Sequence, residues 1–227
     1  AIAHAFRELG HNVQCVREIR GHKALKLLPA DLVLFHKWHD PRTLEKFAGK
    51  AVRAFWYFDL VDFPDPSLTS RNRARINWML SILPYVDIGF CTDGDWAAKR
   101  NLHQLSQGAD ERVTGFGAAS PGSDILFTGI RRGGQVRSSF VGDMLERYGN
   151  RFMHVERGIY RRGLADLIAS AKIVVAPDGP ITDKYCSVRV YTVIGFGGFL
   201  LHPWTAGLAE QYIDGKEIVF YRSREDL

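Results

Sequence analysis

Short apolar runs recur along the chain, and stretches with helical periodicity separate them. The runs are 31–35 (DLVLF), 51–58 (AVRAFWYF), 86–91 (VDIGFC), 124–128 (DILFT), 152–155 (FMHV), 173–176 (IVVA) and 199–201 (FLL). A strand that is apolar on both faces must be covered on both faces. Parallel sheets meet that condition, because their crossover helices flank them. Strands and helices alternating at this spacing predict βαβ units and an α/β fold. Two weaker strands are expected at 12–16 and 217–221.

The intervening segments carry helix signals. Residues 1–9 place Ile2, Phe6 and Leu9 on one face, with Gly10 as cap. Residues 41–48 begin with Asp40 as N-cap and Pro41 in the first turn. Helices are also expected at 67–80, with Ile76, Met79 and Leu80 inward, and at 95–102, 137–148, 163–171, 188–194 and 206–212. Leu164, Leu167 and Ile168 form the inward face of 163–171. Residues 107–123 (QGADERVTGFGAASPGS) break the periodicity and read as a linker. The expected organisation is a domain over 1–107, a linker over 108–123 and a second domain over 124–227, with a cleft between the domains. The chain opens inside a helix pattern and ends at the start of another. A first strand and its glycine loop are therefore expected to be missing ahead of the first helix.

A length of 227 residues is enough for a real core. The net charge is +5, and Arg131, Arg132, Arg137, Arg147, Arg151, Arg157, Arg161 and Arg162 crowd one part of the chain. That bias suits a phosphate-bearing partner, either a nucleotide-sugar or a nucleic acid, and charge alone does not separate the two. Cys15, Cys91 and Cys186 are scattered without metal spacing, so a disulfide framework is not expected and a reducing cytoplasm is the default setting. No apolar run has the length of a membrane span. There is no Walker loop, GxSxG elbow, CxxC or HExxH, which leaves ATPase, hydrolase, redox and zinc-protease readings without support.

The richest stretch is 185–204, YCSVRVYTVIGFGGFLLHPW. A polar approach leads into an apolar helix, Gly195, Gly197 and Gly198 end it, and a buried strand follows. The start of such a helix offers free N–H groups and a positive dipole end, which suit phosphate. The same pattern also describes an ordinary helix-to-strand turn. In 127–134 (FTGIRRGG) a strand, Gly129 and two arginines precede a helix, and Arg131 or Arg132 could pair with a diphosphate. Tyr160 stands before the helix 163–171. The strand ends of the first domain supply His36, Lys37, Trp38 and His39, then Asp59 and Asp62, then Asp93 and Asp95. Asp93-Gly94-Asp95 imitates a DxD metal motif, but it opens a helix, where acidic caps are expected. No metal site is expected.

The string SVRVYTVIGFGGFLL, followed by AGLAEQYIDGKEIVFYRSREDL, resembles the nucleotide-sugar-binding half of GT-B glycosyltransferases. The nearest likeness is to the spore maturation protein CgeB-like group. It covers 124–227 well and 1–113 only in outline. The resemblance implies two Rossmann-like domains of GT-B type and transfer of a sugar from a nucleotide-diphosphate sugar, with no cofactor required. It also implies retention of configuration. The donor-binding residues it implies are Gly129, Arg131, Arg132, Tyr160, Ser187, Arg189, Thr192, Gly197 and Gly198. His36, Asp59 and Lys184 are the candidate catalytic groups. Retaining relatives carry two glutamates, which fall at Lys184 and Thr192 here, so this chain departs from the pattern. Two alternatives stay open: a non-catalytic scaffold that binds nucleotide or nucleic acid, and a transferase acting on modified DNA bases.

Overall fold

The structure is a computed structural model that describes residues 2–15, 29–36, 41–61, 69–113, 122–131, 135–177 and 182–227. Two parallel sheets with flanking helices make an α/β fold consistent with two Rossmann-like domains of GT-B type.

The first sheet runs β1 (Leu32–His36), β2 (Val52–Tyr57), β3 (Ile88–Cys91) and β4 (His103–Gln104), in that spatial order and all parallel. Helix α1 (Ile2–Glu8) precedes it, and α2 (Pro41–Glu45), α3 (Thr69–Ile82) and α4 (Gly94–Lys99) connect its strands. Phe55, Tyr57, Met79, Ile82 and Cys91 are buried in one cluster with Leu44 and Trp96. Burying each such large side chain stabilises the fold by about 1.5–3 kcal/mol. Burial also pushes the Cys91 thiol up to about 12, so it is inert as a nucleophile.

Three expectations need correction here. Residues 12–15 form no strand, and Val16 lies outside the described residues. Only Val13 in this stretch is even half-buried, so it lacks the apolar faces that hold a strand in a sheet. Leu80 points outward, 37% exposed, and Ile82 takes the inward place. Ile76, Met79 and Ile82 step by three along α3 and so share a face that Leu80 leaves. The expected helix over 95–102 ends at Lys99, and the short polar strand β4 follows it.

The second sheet comprises β5 (Ser123–Thr128), β6 (Phe152–Val155), β7 (Ala171–Val175), β8 (Leu200–Pro203) and β9 (Val219–Tyr221). Its spatial order is β6-β5-β7-β8-β9, all parallel. Its helices are α5 (Gln135–Tyr148), α6 (Arg161–Ser170), α7 (Val188–Gly195) and α8 (Ala206–Ala209). Leu126 and Val174 face α6 and α7 on one side, while Phe127 and Val175 face α5 on the other. The alternation along each strand makes both faces apolar, so helices cover both. The chain leaves β5 for β6 on one side and returns as β7 on the other. The topological switch point therefore lies between β5 and β7, and parallel sheets bind ligands outside the carboxyl ends of the strands at such a point.

Candidate functional site

β5 ends at the switch point on Gly129. Its φ of +148° lies in a region that side chains disfavour. A Cβ there would also stand 2.6 Å from Nη2 of Arg189. Glycine is thus required by conformation, and a side chain there would push the guanidinium away. The Gly129 N–H donates to the Val155 carbonyl, and His154 Nε2–H donates to the Gly129 carbonyl at 2.8 Å. The His154 ring stacks on Phe127, with centroids 5.2 Å apart and planes 12° apart.

Arg189 reaches this turn from the first turn of α7. Its Nε–H donates to the Thr128 carbonyl at 2.8 Å, and its guanidinium lies 5.2 Å from the Phe127 centroid. A cation over an aromatic face gains about 0.5–2 kcal/mol, which holds the group in place. Ser187 is the N-cap of α7, yet its hydroxyl makes no capping bond. A half-buried cation, a glycine backbone and a helix N-terminus thus meet where the sheet places ligands. Together they favour an anion with several oxygens.

The other candidate residues fall in different places. Arg131 is exposed beside this turn; its backbone N–H donates to Glu156 Oε1, so only its side chain can serve a ligand. Arg132 lies outside the described residues. Tyr160 is 71% exposed and stands as the N-cap of α6, just before Arg161 at φ +51°. Thr192 is half-buried on α7, one turn beyond Arg189. Gly197 and Gly198 lie at the other end of α7, ahead of β8, away from Arg189. Each has a local reason to be glycine. Gly197 turns the chain at φ +78°, and a Cβ on Gly198 would stand 2.5 Å from Ile168 Cγ2.

In the first sheet, His36 closes β1 and packs edge-on against Phe58, with centroids 3.8 Å apart. Asp59 follows β2, so both lie at the carboxyl edge. Asp93 follows β3 and is 3% exposed. Its carboxylate accepts from Trp96 N–H at 3.0 Å and Val61 N–H at 3.1 Å, which makes it the cap of α4. His36 is exposed and Asp59 half-buried at that edge.

The two carboxyl edges meet at Lys184. Its carbonyl accepts from Gly94 N–H at 3.0 Å and from Gln104 Nε2 at 3.1 Å, linking the loop before α7 to the end of β3 and to β4. Tyr191 ties the same seam from α7. Its hydroxyl accepts from Cys186 Sγ at 3.0 Å and donates to Gln211 Oε1 at 3.2 Å, and it also bonds Ser106. Burial, then the Cys186 contact, raises the phenol well above its ordinary range, so it stays protonated. Farther along α7, a Cβ on Gly195 would collide with the Ala109 Cβ. Sequence reasoning missed His154, Tyr191, Gln104 and Ser106. Their partners lie far away in sequence, and no local spacing marks them.

Residues 124–227 match the model of a protein family described as glycosyl transferase-like. The match begins at β5 and takes in Gly129, His154, Arg189 and Lys184, but not β1–β4. No curated protein matches the chain. Among the described residues, no helix is long and apolar enough to cross a membrane.

Proposed function

We propose that the protein transfers a sugar from a nucleotide-diphosphate sugar to an acceptor, in the cleft where the two carboxyl edges meet. The observation that carries this reading is the Arg189 guanidinium held against Gly129 at the β5/β7 switch point, within the stretch that matches glycosyl transferase-like proteins. The donor diphosphate sits against Arg189, the Arg131 side chain and the start of α7. The bond between the anomeric carbon and the diphosphate oxygen breaks, and the electron pair leaves with the diphosphate. Fixed positive charge at that place stabilises the leaving group without a metal ion, and Lys184 adds to it. The acceptor oxygen bonds to the anomeric carbon and passes its proton to the departing diphosphate oxygen, with His36 or Asp59 contacting the acceptor or the transferred sugar. The configuration is retained, as the resemblance implies. Within the glycosyl transferase-like group, the likeness of residues 187–201 supports a CgeB-like enzyme. Three free cysteines agree with a reducing, cytoplasmic setting.

One observation favours a second reading, a scaffold that binds the nucleotide without turnover. Thr192 and Lys184 stand where retaining relatives carry carboxylates. The test is release of nucleotide diphosphate from uridine-, guanosine- and thymidine-diphosphate sugars, measured for the native protein and for Thr192→Glu. A carboxylate at 192 should tighten donor binding by about 1–2 kcal/mol through charge-assisted bonds to the ribose, with turnover held or raised. Tighter binding without any turnover supports the scaffold. Loss of donor binding in a folded Thr192→Glu protein contradicts the placement of α7 at the donor.

A further inference from the structure

Two cavities flank the end of α8, and Glu210 and Gln211 line both. One, of about 330 Å³, opens on the seam and includes Gln104, Ser106, Asp183 and Lys184. The other, of about 370 Å³, is lined by Trp204, Tyr212, Ile213 and Phe220 together with Asp214. Each falls within the roughly 300–1,000 Å³ usual for small-molecule sites. Their walls are braced. Gln211 Nε2 donates to the Gly207 carbonyl at 2.8 Å while its Oε1 accepts from Tyr191. Asp214 Oδ1 accepts from Phe220 N–H at 3.0 Å. The Arg222 guanidinium lies 4.5 Å from the Trp204 centroid and steadies the indole.

The lining decides what class of molecule fits. The Asp183 and Glu210 carboxylates and the Lys184 ammonium can accept from and donate to a ligand rich in hydroxyl groups, while the Gln211 and Gln104 amides brace the wall. Aromatic rings offer a flat apolar surface to the C–H face of a sugar ring. The charged residues lining the two cavities are Asp183, Glu210 and Asp214 against Lys184. In the second cavity Glu210 and Asp214 outnumber the Arg222 guanidinium beside Trp204, and this acidic excess opposes a phosphate backbone there, even though the chain as a whole carries +5. We infer that the acceptor is a neutral oligosaccharide that runs from the seam past Glu210 and Gln211 and seats an outer sugar against Trp204 and Tyr212. The inference rests on the seam being the transfer site. It names the acceptor class and a subsite beyond the reacting sugar.

The test is calorimetric titration of the full chain with maltotetraose, cellotetraose, chitotetraose and mannotetraose. Their monosaccharides and a tetrathymidylate serve as the other arms. At least one tetrasaccharide should bind about ten-fold or more tightly than its monosaccharide. Trp204→Ala should remove about ten-fold of that affinity, Trp204→Phe should restore most of it, and Glu210→Gln should cause a smaller loss. A nucleotide diphosphate titrated into the same Trp204→Ala sample should bind as in the native protein, which shows that the variant is folded. No tetrasaccharide preference, unchanged binding in Trp204→Ala, or tighter binding of tetrathymidylate would overturn the inference. Failure of the native protein to bind nucleotide diphosphate would count against the donor site instead, and leaves the oligosaccharide result to be judged separately.

Discussion

At the carboxyl edge of the first sheet, β3 ends at a carboxylate that is spent on the fold. Asp93 is buried, and its oxygens take backbone N–H groups from α4 and from Val61. Residues 105–107 then cross this edge. Trp56 Nε1 donates to the Leu105 carbonyl at 3.1 Å, and Gln107 donates to the Phe58 carbonyl. At the carboxyl edge of the second sheet, β5 ends at a glycine with a half-buried guanidinium drawn against it. The first edge closes Asp93 inward while His36 and Asp59 stay at the edge, and the second sets a cation at the switch point. The difference shows how to read polar residues at strand ends. A charge consumed by backbone N–H groups belongs to the architecture. A charge fixed beside a glycine and a helix start is where the proposed donor site is to be tested.

The sharpest way to break the comparison is Asp93→Ala. It uncaps the Trp96 N–H, at about 1 kcal/mol, and leaves the buried Val61 N–H unsatisfied, at about 1–3 kcal/mol, for a combined loss of about 2–4 kcal/mol. Thermal unfolding should show a drop in Tm, and nucleotide binding below that Tm should be unchanged. An unshifted Tm would mean that Asp93 is not the structural partner in the pair.

Gly198→Ala should come next. The added methyl meets Ile168 Cγ2 at 2.5 Å and Val193 Cγ1 at 2.9 Å, so α6 or α7 has to shift. Overpacking of this kind costs about 1–3 kcal/mol. Chemical denaturation should show that loss with donor affinity intact. A large fall in donor affinity with no loss of stability would make Gly198 a ligand contact.

The smallest effect concerns acid stability. Hydrogen bonds from the Arg53 side chain and backbone hold the Asp87 carboxyl down to about 2. Its folded pKa lies below the unfolded value of about 3.9. The pair therefore stabilises the fold above about pH 4, and that contribution is lost as the pH falls toward 2. Asp87 is 43% exposed, so solvent screening keeps the effect small. In the second domain, Lys172 and Arg151 hold Asp124 below the usual carboxylate range in the same sense. Asp87→Asn should flatten acid unfolding between about pH 4 and 2, read by circular dichroism. Identical acid curves for Asp87→Asn and the native protein would remove the pair from the account.

Much of the fold is legible in the sequence because parallel strands buried on both faces leave continuous apolar runs such as DLVLF and DILFT. β4 is hidden because His103 and Gln104 pair with β3 through backbone and carry no apolar signal. Leu80 misleads because its spacing from Ile76 also suits an inward face. In the site, the motif marks Arg189 and Gly129 separately. Their contact is not legible, since it joins β5 to α7 across the sheet. Gly197 and Gly198 look like ligand glycines in sequence, whereas turning and packing account for both. The seam through Lys184 depends on a carbonyl, which side-chain identity does not reveal.

The most direct test of the central claim is a calorimetric titration of nucleotide diphosphate into the native protein, Arg189→Gln and Gly198→Ala. Arg189→Gln removes the cation at the switch point and keeps a polar side chain of similar reach. The account predicts a loss of about ten- to a hundred-fold in affinity for Arg189→Gln, the scale of one charge-assisted hydrogen bond, and native affinity for Gly198→Ala. Equal affinity in the native protein and a folded Arg189→Gln would contradict the assignment of the second sheet's carboxyl edge as the donor site.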